Sequence, residues 1–151
     1  MMESWRRFRA LSGRDRLLVA EAAALLGLVW LGLSILPFPT LRRLVDRFVG
    51  HSDAVAAGSS SEPVRRVAWA VLAVARRWPV RTTCLVEALA ADAMLRRGGY
   101  APELRFGVRP PGSGSKPLEA HAWLEHQGVV VLGDVENLPG YAVLSGSGSA
   151  L

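Results

Sequence analysis

Cysteine, histidine and lysine are scarce in this 151-residue chain: one Cys, three His and one Lys. A single cysteine excludes a disulfide framework and a cysteine-based structural zinc site. Three histidines argue against a histidine-rich metal centre. Side-chain amides are scarcer still, with Gln127 and Asn137 the only ones. No internal repeat is visible, and nothing in the sequence points to a cofactor. Charged residues make up 21%, half the chain is hydrophobic and the mean hydropathy is +0.23. That composition excludes a wholly disordered chain. The length suits one sizeable core, or a small core with an appendage, and hardly two full domains.

What is abundant is arginine. The net charge is 18 − 13 = +5, and 17 of the 18 basic residues are Arg. Residues 1–81 carry 13 Arg against 6 acids, whereas residues 82–151 carry 5 basic groups against 7 acids. The arginines come mostly in pairs (Arg6-Arg7, Arg42-Arg43, Arg65-Arg66, Arg76-Arg77, Arg96-Arg97) scattered among apolar stretches. No dense basic stripe with interleaved aromatics and no groove-reading module is present, so nucleic acid is not an expected partner. The plain reading is solvated helix faces; the sharper one is an anionic partner on the N-terminal half.

Leu17–Leu36 is almost continuously apolar, and Pro37 and Pro39 stop it. Its uncharged helical part, Ala22–Leu36, reaches about 22 Å, short of a bilayer core. Lengthening it would include Glu21. A signal peptide fits poorly, because Pro-Phe-Pro stands where small residues are needed. The favoured reading is a hydrophobic helix packed on the rest of the chain or on a partner, with membrane association as the alternative.

Leu41–Val49 is a second, amphipathic helix by its apolar spacing. A helix over 62–77 has Ser61 as its expected cap and Val64, Val67, Ala68, Val71, Leu72 and Ala75 as its buried face. Thr82 or Thr83 caps a further helix to about Arg97, with Leu85, Ala88, Leu89 and Leu95 as its stripe. Asp92 falls on that stripe and needs a partner. Residues 103–108, 119–125 and 129–134 read as strands, 57–61 and 110–117 as loops, and 145–151 as a flexible tail. The fold class is therefore α+β, N-terminal helices followed by a helix packed on a small antiparallel sheet.

Cys84 opens the helix after the Thr-Thr pair, where unpaired N–H groups and the positive dipole end favour an anion. A lone helical cysteine is more often a small buried hydrophobe, so position alone decides nothing. The hairpin adds weight. With Gln127-Gly128 as a two-residue turn, opposed residues have numbers summing to 255, and His121 falls opposite Asp134. A carboxylate there holds the imidazole's tautomer and leaves its other nitrogen for a thiol. A bulge would break this register, and Glu136 and Asn137 are the alternative third members. Alone, His121 reads as a core histidine and Asp134 as a strand-end residue. Trp123 shares the His121 face, as core filler or as a roof over the site. His51 and His126 read as exposed or structural. The Cys84 N–H is the natural oxyanion donor, with the Trp78 indole as a second candidate.

RWPVRTTCLVEALAADAMLRRGGY (77–100), LRFGV (104–108) and EAHAWLEHQGVVVLGD (119–134) resemble the leader-peptidase family of lasso peptide biosynthesis. The Cys-Leu helix opening and the Ala-His-Ala-Trp strand are the specific parts; Leu118 departs from the aromatic common before that strand. The resemblance implies a transglutaminase-like (papain-like) cysteine protease core over 62–144, after an N-terminal helical region over 1–57. It implies a Cys84–His121–Asp134 triad that removes the leader from a precursor peptide before a separate cyclase acts. It also implies a separate leader-recognition protein, for which the N-terminal half is the expected docking surface. A free thiolate needs a reducing compartment, hence a cytoplasmic location, with the membrane face as the alternative. Two other readings stand beside this one: thiol acyl transfer to an amine, and a non-catalytic membrane-associated binding protein.

Overall fold

The computed structural model describes residues 12–49, 61–109, 118–134 and 138–144. Helices α1 (Gly13–Ile35), α2 (Phe38–Val49), α3 (Glu62–Ala75) and α4 (Cys84–Arg97) precede the strands. These are β1 (Glu103–Arg109), β2 (Glu119–His126), β3 (Val129–Leu132) and β4 (Ala142–Leu144), with a 3-10 turn at Leu138–Gly140 before the last. The sheet is antiparallel in the order β3-β2-β1-β4. The α+β class and the helix-on-sheet arrangement are as expected. Strand β4 carries no signal that the sequence reading used. The expected loops at 110–117 and at 57–60, the tail, His51, Glu136 and Asn137 lie outside the described residues.

α4 sits at the centre. Val86 and every residue from Ala88 to Leu95 are buried. The sequence reading gave it one apolar stripe, but half of its other buried positions are alanine (Ala90, Ala91 and Ala93), small enough to pack on any side. α1, α2 and α3 cover it on one side and β1 and β2 on the other. α1 contributes Ala22, Leu26 and Val29, and α3 contributes Val64, Val67, Ala68, Ala70, Val71 and Val74. The sheet adds Leu104, Ala122, Leu124 and Leu132. Full burial of each large aliphatic side chain in this set contributes about 1.5–3 kcal/mol.

Of the two caps expected, Thr83 forms and Ser61 does not, and Ser12 caps α1 without having been expected. Ser12 accepts from the Asp15 N–H at 3.2 Å and Thr83 from the Val86 N–H at 3.4 Å. Ser61 is itself in the helical region of backbone space and makes no side-chain cap bond. Pro63, in the first turn, shapes that helix start instead.

Asp92 is 1% exposed, the one buried charged residue among those described. Arg42 of α2 donates to its carboxylate at 2.9 Å, and Arg96, one turn on, lies 3.6 Å away. Arg96 also pairs with Asp46, which lies 3.4 Å from Arg42. Burial pushes the Asp92 carboxyl above its ordinary range, and the two guanidinium groups pull it back. Removing Arg42 leaves a buried carboxylate half-paired, an expected loss of about 3–5 kcal/mol at neutral pH. It also raises the carboxyl further. A group raised in the folded state favours folding below its unfolded value and loses that contribution as pH rises. The gap between wild type and Arg42→Ala therefore narrows as pH falls from ~7 towards ~5. Urea unfolding at both pH values measures it; a constant gap contradicts the assignment.

Candidate functional site

Cys84 is the first residue of α4, at the end of that helix that borders a cavity lined also by the sheet. Thr83 is extended (φ −94°, ψ 157°) and caps the helix. Thr82 donates to Glu87 in the first turn at 2.5 Å. The thiol is half-buried and free. It lines a largely apolar cavity of about 520 Å³ with Phe38, Phe106, Val108, Ala120, Ala122 and Leu144, and His121 is also part of the wall. Trp78, the other candidate oxyanion donor, is not part of this wall; its ring lies against Gly27 of α1.

Gln127 and Gly128 have φ of 52° and 75°, the two positive values of a tight primed hairpin turn. Next to the turn the pairing is as expected, His126 with Val129 and Glu125 with Val130. The ladder then shifts, and Leu124 pairs with Leu132. This bulge gives β3 one extra residue, which ends the 255 sum before it reaches His121. β3 stops at Leu132 and does not extend to Asp134. The direct pairing of His121 with Asp134 is thus not what the structure holds. Gly133, at φ 83°, turns the chain across β2, so close that a Cβ there would lie 2.9 Å from the Ala122 carbonyl. Its own carbonyl lies 2.7 Å from His121 Nε2. A carbonyl only accepts, so Nε2 carries the hydrogen and Nδ1 is the free, basic nitrogen. Asp134 is exposed.

The imidazole is packed as well as bonded. It stacks on Trp123 (ring centroids 6.2 Å, 17° between planes) and lies 5.6 Å from the Tyr141 ring. Trp123 is 2% exposed and donates from its indole to Glu125 at 2.8 Å. Tyr141 has the Arg109 guanidinium 5.1 Å above its ring. Gly107, directly across from His121, makes room for both rings; a Cβ there would lie 2.8 Å from Trp123 and 2.9 Å from Tyr141. Gly107, Gly133 and Tyr141 were not singled out by the sequence reading. Only the glycine facing a histidine across the ladder would have signalled this packing.

Alternation along the strands divides these groups. Ala120 and Ala122 line the Cys84 cavity and Leu124 joins the α4 core. His121 and Trp123 therefore point from the other face of β2, where Tyr141 packs. Both Cys84 and His121 line the cavity, but the imidazole is turned to Gly133, Trp123 and Tyr141, with no hydrogen bond to the thiol among the described residues.

Gly107→Ala forces two rings apart in a packed site, an expected cost of about 1–3 kcal/mol. Near-ultraviolet circular dichroism of the tryptophans should change with it. Wild-type stability and spectrum in this variant would remove the close approach at Gly107.

The helices followed by a small antiparallel four-stranded sheet are consistent with a transglutaminase-like domain. A family model described as the transglutaminase-like superfamily matches residues 32–146. No curated protein and no solved structure matches the chain. The match covers all of the sheet and α2 to α4, and with it comes a chemistry of the cysteine-peptidase and acyltransferase type. The chain belongs to the transglutaminase-like superfamily.

Proposed function

We propose that this protein is a cysteine peptidase that removes the leader from a lasso peptide precursor. One observation carries the reading: the chain's only thiol stands at the N-terminal tip of the central helix and faces an open, largely apolar cavity. Such a cavity accepts an extended peptide. The sequence resemblance supplies the precursor class.

In the proposed reaction Cys84 attacks the scissile carbonyl. The tetrahedral oxyanion draws on N–H groups at the helix start. His121 protonates the leaving amine, then activates water to release the thioester. Asp134 orients the imidazole by taking the place of the neighbouring Gly133 carbonyl at Nε2, which leaves Nδ1 for the thiol. Attack also requires the thiol and that nitrogen within about 3 Å, so the start of β2 has to rearrange from the conformation described here. A separate leader-binding protein presents the precursor, which raises its effective concentration at so small an enzyme. The product amine then goes to a cyclase, and the reaction takes place in the cytoplasm.

The test is mass spectrometry of a precursor incubated with the wild type, Cys84→Ala, His121→Ala and Asp134→Asn, with and without a leader-binding protein. Cleavage is expected to fall at least about a thousandfold without the nucleophile or the base. For Asp134→Asn the expected loss is at least about a hundredfold. Full cleavage by Cys84→Ala ends the proposal. Product mass separates hydrolysis from transfer to an amine, because the two add different groups to the same acyl carbon.

A further inference from the structure

α1 is apolar all round, and packing accounts for only one of its sides. Ala22, Leu26 and Val29 face the core. On the outer side Leu17, Ala20, Ala24, Leu28, Leu31 and Ile35 recur at steps of three and four residues, and all are exposed. Leu17, Leu28 and Ile35 keep 73%, 63% and 70% of their surface open. The stripe runs about 27 Å along the helix. The one hydroxyl near its end, on Ser34, donates back to the Trp30 carbonyl at 2.8 Å and offers little to water. Leu44 and Phe48 of α2 line a groove with Leu28, so the apolar surface continues onto α2, where Phe48 is 93% exposed.

The charges on these two helices are sorted by sign. Their acids all turn to pairs: Asp15 with Arg66, Glu21 with Arg97, and Asp46 with Arg96. Their exposed charged residues are Arg14, Arg16, Arg43 and Arg47. Arg43 and Arg47 adjoin Leu44 and Phe48 in the chain and share the exposed side of α2. An aliphatic stripe beside Arg14, Arg43 and Arg47 matches an anionic lipid surface, with acyl chains for the stripe and headgroups for the guanidinium groups. Crossing the bilayer is a worse fit, because α1 would carry the charged faces of α3 and α4 into the hydrocarbon.

We propose that the outer face of α1, continued by Leu44 and Phe48, lies in the plane of an anionic bilayer, with Arg14, Arg43 and Arg47 at the headgroups. The proposal does not depend on the catalytic reading. Vesicle flotation of the full chain tests it, with phosphatidylcholine vesicles and with phosphatidylcholine–phosphatidylglycerol vesicles. The wild type and Cys84→Ala are expected to float with the anionic vesicles and much less with the neutral ones. Leu28→Glu combined with Leu31→Glu should lower partitioning at least about tenfold. Its helical circular dichroism and melting temperature should hold, because both positions are exposed. Wild-type protein that stays at the bottom of both gradients overturns the proposal, as does a double variant that is folded and floats like the wild type. Protein that alkaline carbonate cannot strip from the vesicles points to a span and also overturns it. A dimer that the double substitution dissociates, without vesicle binding, gives the face to a second copy instead.

Discussion

The constraint behind this structure is that one helix, α4, is buried on nearly every side. A helix normally hides one stripe and shows the other to water. α4 runs from Ala88 to Leu95 with no solvent-facing side. Three helices and a sheet have to surround it, and the order of the chain supplies them in that sequence. Its alanines allow the close approach. Its one buried carboxylate, Asp92, is tolerable only because α2 and the next turn of α4 bring arginines to it.

The N-terminal tip of the helix borders a cavity that the sheet also lines, and the cysteine is there. The chemistry of the site then depends on the sheet that covers the helix. β2 gives alternate residues to two environments: Ala120, Ala122 and Leu124 to the helix side, His121 and Trp123 to the other. The bulge beside Leu124 and the turn at Gly133 set what the imidazole meets, a backbone carbonyl and two aromatic rings. In this arrangement Cys84 and His121 make no hydrogen bond to each other among the described residues, and the alternation along β2 turns the imidazole to Gly133, Trp123 and Tyr141.

The excess of arginine has two uses here. Arg42, Arg66, Arg96 and Arg97 neutralise acids where helices meet, and their planar, multi-donor groups suit such part-buried pairs. Arg14, Arg43 and Arg47 of α1 and α2 face outward beside aliphatic side chains. The charge asymmetry between the two halves of the sequence thus becomes a spatial asymmetry.

By itself the sequence determined the four helices and the first three strands, though not β4. Apolar spacing, Pro37, the Thr83 cap, Gly98-Gly99 and the Gln-Gly turn act over a few residues, so helices, strands and the hairpin turn were legible from them, as were the need of Asp92 for a partner and the sharing of a face by His121 and Trp123. The tertiary structure decided what depends on distant chain. Arg42, fifty residues from Asp92, became its partner. α4 proved surrounded, because an alanine reads alike whether it meets a neighbour or water. A shift of one residue at Leu124 decided where β3 ends and kept it from pairing Asp134 with His121; a bulge follows from how a ribbon twists over its helices, and no local pattern records that.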